Sequence, residues 1–136
     1  MTGPANVRVG DELPPLTVEI TTGLIVAGAI ASRDYQDVHH DPALARARGA
    51  KDVFMNILTT NGFVGRFVTD WAGPDATLKK VSLSLGVPNY PGDTMRMTGR
   101  VTAVDGPDVD VEVRGANDIG DHVSATVRLT LGPEAA

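Results

Sequence analysis

The densest run of residues able to do chemistry is Ser32-Arg33-Asp34-Tyr35-Gln36-Asp37-Val38-His39-His40-Asp41, which holds two of the chain's three histidines. A carboxylate and an imidazole that grip one water can work as an acid–base pair, because imidazole, with a reference pKa of about 6.5, takes or gives a proton near neutral pH. On a regular helix, residues five apart point about 140° away from each other, so Asp34 and His39 share a target only if the chain between them is irregular. Pro42 supports that irregularity, since it biases Asp41 away from helical geometry and leaves a turn before the next element.

Other chemistries fit the cluster less well. His39, His40 and Asp41 do not make a convincing metal site, because adjacent histidines diverge and no distant further ligand stands out. A serine hydrolase is disfavoured: there is no Gly-x-Ser-x-Gly elbow, and Ser32 lacks a nucleophile's setting. The same residues also have ordinary structural uses, with Asp41 capping a helix and Asp34 and Asp37 solvating a loop. His122, at the start of a strand, reads as structural.

The elements that must hold this cluster can be read from periodicity. Residues 1–15, rich in Gly, Pro and charge, read as a loosely held lead-in, followed by a short strand at 16–20. Thr21 and Thr22 can cap a helix through Ala31, which Gly28 weakens. Asp41-Pro42 begins a short helix over about 42–48, closed by Gly49. A longer helix runs from near Asn56 to Trp71, with Ile57, Val64, Val68 and Trp71 on one apolar stripe, and Gly73-Pro74 ends it. The period then changes to two over 78–87, 94–104, 109–116 and 122–131. Their short, turn-rich connections make these strands antiparallel neighbours. The class is α+β, a sheet curled around one long helix, with apolar surface left for another subunit.

Composition bounds the rest. The chain has 136 residues, 42% hydrophobic and 21% charged, which is one domain's worth with an ordinary core and no second folding unit. Twelve basic against 17 acidic residues give a net charge of −5, which argues against nucleic acid or an anionic membrane as partner. There are no cysteines, so disulfides and thiolate sites are excluded. With no basic-then-apolar leader and no apolar stretch near the roughly 20 residues a membrane helix needs, the expected location is cytoplasmic.

Asp34-x4-His39-x-Asp41-Pro42 resembles the motif Asp-x-Asn-Pro-x-His-x-Asp-Pro of the MaoC-like (R)-specific enoyl-CoA hydratases, and Pro91-Gly92-Asp93-Thr94 resembles that family's usual step before a strand. The resemblance extends over most of the chain. It is stronger toward one branch, the small subunits of heteromeric steroid side-chain hydratases of cholesterol-degrading actinobacteria, through residues 33–41, 51–59, 68–74 and 120–127. It implies a single hot-dog domain over residues 1–136, an antiparallel sheet wrapped around a long central helix. It implies water addition to a trans-2-enoyl-CoA thioester, with Asp34 and His39 as the catalytic pair and no metal or redox cofactor. The partner it implies is a second MaoC-like hot-dog subunit, in a heterodimer or heterotetramer, with a homodimer open to the isolated chain.

Two departures from the family pattern stand out. Gln36-Asp37 replaces Asn-Pro, and Met55-Asn56 replaces a common His-Gly whose glycine gives its N–H to the thioester oxygen. Asn56 keeps that N–H and adds a side chain that either caps the helix, meets the thioester, or does both. Lys79, Lys80, Arg96 and Arg100 are available for the coenzyme A phosphates, with none assigned. Phe54, Phe63, Phe67 and Trp71 are open to core packing or to lining an acyl tunnel. Two rivals keep the scaffold and change the role: a hot-dog acyl-CoA thioesterase, and a non-catalytic subunit that stabilises another hot-dog chain.

Overall fold

The computed structural model describes residues 3–133. Strand β1 (Glu12–Glu19) leads into helix α1 (Thr22–Ala31), a 3-10 turn (Asp37–His39), helix α2 (Pro42–Ala47) and helix α3 (Ile57–Ala72). Four strands follow: β2 (Thr77–Leu85), β3 (Thr94–Asp105), β4 (Asp108–Asn117) and β5 (Gly120–Thr130). All pairings are antiparallel, in the order β1-β3-β4-β5-β2, so the α+β expectation holds.

The helices start and stop where the side chains dictate. Thr21 caps α1 by accepting from the Leu24 N–H at 3.0 Å, and Asp41 caps α2 by accepting from Ala43 and Leu44. Gly73, at φ 86°, ends α3 in a conformation glycine takes without strain. The core lies between α3 and the sheet. Val64, Phe67, Val68 and Ala72 of α3 belong to one buried cluster with Met95, Met97, Val101, Val111, Val113, Val127 and Leu129 of the strands. Gly99 in β3 makes room for the ring of Phe67, since a Cβ there would lie 2.8 Å from it.

Three sequence readings need correction. The strand expected at 16–20 begins at Glu12, so residues 12–15 belong to the sheet rather than to the lead-in. Pro14 and Pro15 are tolerated because β1 is an edge strand whose register shifts between Leu13 and Leu16. Residues 1 and 2 of the lead-in lie outside the described residues, while its end is tied to β3: Gly10 donates to the Val101 carbonyl, and Val101 donates to that of Asp11, both at 2.8 Å. Second, β2 and β3 are consecutive but not neighbours, because β2 crosses to the far edge and pairs with β5. Third, Ile57 has the right angular position for the α3 stripe, within about 20° of Val64, yet it is 50% exposed. Nothing among the described residues covers that side of the helix's first turn, and Phe67, absent from the expected stripe, supplies the core contact instead.

Candidate active site

Helix α1 ends at Ser32, after which Arg33 adopts φ 56° and turns the chain back. The Asp34 N–H then bonds the Ala29 carbonyl at 2.8 Å, which fixes where the aspartate leaves the helix. Its Oδ1 accepts from the Gln36 N–H at 3.2 Å, closing a local turn. The 3-10 turn that follows supplies the irregular geometry required by the five-residue spacing. Arg48, just after α2, clamps that turn with two bonds to the Asp37 carboxylate, at 2.7 and 2.9 Å.

His39 is buried, with its ring edge-on to Phe54. Its Nδ1 lies 2.7 Å from the Phe54 carbonyl, which can only accept, so Nδ1 carries the proton. In the neutral ring Nε2 is then a bare lone pair, and it lies 3.3 Å from Asp34 Oδ2. Two acceptor atoms facing each other at that distance can hold the two hydrogens of one water. The expected convergence of Asp34 and His39 is therefore present. His40 serves as a prop: its Nε2 donates to the Asp34 carbonyl at 2.7 Å.

Asn56 joins them from the start of α3. Its Oδ1 accepts from the Thr59 N–H at 3.0 Å, so it does cap the helix. Its Nδ2 donates to Asp34 Oδ2 and to Ser32 Oγ, each at 3.0 Å. The hydrogen bond from Asn56 is the main reason the Asp34 carboxyl is held below its ordinary pKa, with further help from the Gln36 N–H and the two histidines against the opposing effect of burial. The Asn56 N–H has no hydrogen-bond partner among the described residues and stands at the positive end of α3. The segment before it is fixed by Met55, whose N–H bonds the carbonyl of the fully buried Asn89, and by Asn117, which donates to Asn89 Oδ1 at 3.0 Å.

Residues outside the cluster sort differently. His122 is buried between Val87 O and Thr60 Oγ1, 2.7 Å from each, and takes no part. Lys79, Lys80, Arg96 and Arg100 are exposed on the strands. Phe67 is core, while Phe63 lines an apolar groove of about 390 Å³ between α1 and α3 that reaches Ser32. The Pro91-Gly92-Asp93-Thr94 step is a structural turn, bound to the residue just after β1 through Gly92 N–H to Ile20 O and Ile20 N–H to Asp93 O, both 2.8 Å. Sequence reasoning missed Ser32, the Phe54 carbonyl and His40, because their parts are set by backbone geometry that residue types do not announce. Among the described residues, no His, Asp and Glu cluster is arranged to hold a metal ion, and no helix is long and apolar enough to cross a membrane.

No protein-family model matches the chain. The chain is 52% identical over 123 residues to the 3-oxo-4,17-pregnadiene-20-carboxyl-CoA hydratase beta subunit of Mycobacterium tuberculosis, covering 90% of this chain and 95% of the relative. It is similar, at 52% identity and a TM-score of 0.90, to a chain of the crystallised ChsH1-ChsH2 complex of the same organism, covering 91% of this chain and 98% of that one. An (R)-hydratase of A. caviae involved in PHA biosynthesis, 23% identical over 92% of this chain and 97% of its own, shares the fold at a TM-score of 0.81.

Proposed function

Because the chain belongs to the MaoC-like hydratase family of hot-dog proteins, we propose that it is a subunit of a steroid side-chain enoyl-CoA hydratase in which Asp34 and His39 activate water. The 52%-identical relative is named for hydration of a steroid carboxyl-CoA thioester, and its similarity spans nearly the whole of both chains. The related solved structure is a two-component complex, so this chain works with a second hot-dog subunit. Its substrate is an acyl-CoA, and its setting is the cytoplasm.

The observation that carries the catalytic assignment is the 3.3 Å approach of Asp34 Oδ2 to His39 Nε2, with the proton of His39 committed to the Phe54 carbonyl. A water between them gives one hydrogen to each. As its oxygen attacks the β-carbon of the enoyl thioester, a proton passes to the pair and negative charge develops on the thioester oxygen. The free N–H of Asn56, at the N-terminus of α3, is placed to receive that charge. The pair returns a proton to the α-carbon, so hydrogen and hydroxyl arrive on one face. The apolar groove reaching Ser32 offers a surface near the pair for part of the acyl group.

The test is hydration of a steroid enoyl-CoA and a short enoyl-CoA by the chain co-expressed with its partner subunit. Asp34→Asn and His39→Ala are each expected to lower kcat by a factor on the order of 10²–10⁴ with assembly intact. Coenzyme A release should remain absent throughout, which separates hydration from thioester hydrolysis. Either variant retaining full turnover overturns the assignment.

A further inference from the structure

Asn56 is an expensive residue to bury unless its carboxamide is satisfied, and here every part of it is used. Oδ1 takes the Thr59 N–H, and the two Nδ2 hydrogens go to Asp34 Oδ2 and Ser32 Oγ. Ser32 is itself fixed, since its hydroxyl donates to the Gly28 carbonyl at 2.7 Å and therefore presents a lone pair to Asn56. The result is an unbroken line from the last turn of α1, through Ser32 and Asn56, to the oxygen of Asp34 that faces His39.

We infer that the Asn56 carboxamide, braced by Ser32, is a positioning group that aims Asp34 Oδ2 at the His39–water pair. This rests on the reading of Asp34 and His39 as the acid–base pair and adds a residue that acts through them. A cap alone needs only Oδ1; the geometry of Nδ2 is what a capping role leaves unexplained. Donation from Nδ2 also favours the ionised carboxylate, so the bracket sets the charge of Asp34 as well as its direction. The titratable groups acting on Asp34 are His39 and His40, both from the segment after it, whereas α1 and the start of α3 contribute the uncharged Ser32 and Asn56.

Asn56→Asp separates the two roles. Aspartate caps a helix about as well as asparagine, so a pure cap predicts wild-type stability and wild-type turnover. A positioning role predicts that the new carboxylate, with an acceptor where the N–H stood, repels Asp34 and rotates it away. In the assembled complex, kcat on a short enoyl-CoA should fall about 100-fold at neutral pH with KM changed less than about threefold. The ratio of variant to wild-type activity should then rise as pH falls, because a proton shared by the two carboxyls removes the repulsion. Ser32→Ala, which leaves Asn56 in place but unbraced, should lose about tenfold in kcat with KM unchanged, and it decides the matter if Asn56→Asp fails to assemble. Loss of activity in Asp34→Asn alongside undiminished kcat in both Asn56→Asp and Ser32→Ala overturns the bracket alone. Undiminished turnover in Asp34→Asn overturns the bracket and the acid–base reading together.

Discussion

A histidine acts as a base only through the nitrogen that carries no proton, and this chain uses two histidines in opposite ways. In His39 the Phe54 carbonyl holds the Nδ1 proton and leaves Nε2 open toward Asp34. In His122 both nitrogens are spent inside the core, Nδ1 donating to Val87 O and Nε2 accepting from Thr60 Oγ1. Burial pushes the His122 pKa below 6.5, against the opposing effect of its bond to Val87. The folded state therefore favours neutral His122, and below about pH 6.5 the unfolded chain binds more protons than the folded one. Its contribution to stability is complete above that pH and is lost as pH falls toward the folded pKa. Urea midpoints measured between about pH 7.5 and 5.5 should fall for the wild type. In His122→Gln, which itself costs about 1–3 kcal/mol through imperfect replacement of two buried bonds, the midpoint should fall less steeply; equal slopes would rule out this source. At this scale the Asp34–His39 spacing was legible because it matches a known motif and demands a break in the helix. The bracket was not, because Ser32 and Asn56 lie 24 positions apart and Asp34 and Asn56 lie 22 apart. Only the passage of α1 beside the start of α3 brings them together.

That passage depends on one missing side chain. Gly28 faces Thr59 where α1 crosses α3, and a Cβ there would overlap the threonine hydroxyl and crowd its methyl and Cβ. Read alone, Gly28 weakens α1, because glycine costs about 1 kcal/mol relative to alanine in a helix. In the fold it is what lets the two helices approach. Gly28→Ala is thus expected to reverse the usual helix gain and destabilise the chain by about 1–3 kcal/mol. Since Thr59 also donates to Asn56, the same variant should lower kcat before it unfolds the protein. Urea titration and turnover on one preparation check both effects, and a stabilised, fully active Gly28→Ala would show that the crossing has slack. The strands illustrate the same division: their alternating pattern announced β2 to β5, but the placement of β2 beyond β5 at the far edge follows from pairing that no local signal encodes.

For the molecule as a whole, the informative residues are those the chain leaves uncovered. Ile30 on α1, Ile57 and Leu58 on α3, and Leu78 and Leu85 on the edge strand β2 are each 42–52% exposed. Scattered apolar exposure is ordinary, but Ile57 occupies a helix position that periodicity assigns to an interior, and Leu58 borders the groove that reaches Ser32. On the proposed function, a second subunit, as in the two-component complex of the similar mycobacterial chain, is expected to supply further walls for a bulky steroid acyl group. The pair of Asp34 and His39 is already assembled without that partner, which divides the expected behaviour into two parts. The isolated chain should bring intact acid–base groups but an incomplete pocket, hydrating a short enoyl-CoA weakly and a steroid enoyl-CoA hardly at all. Co-expression should yield a mass corresponding to both subunits by light scattering, a melting temperature that rises with protein concentration, and steroid hydration that is lost when the subunits are separated. Equal steroid turnover by the isolated chain would place the whole acyl pocket within this subunit and remove the need for the partner's walls.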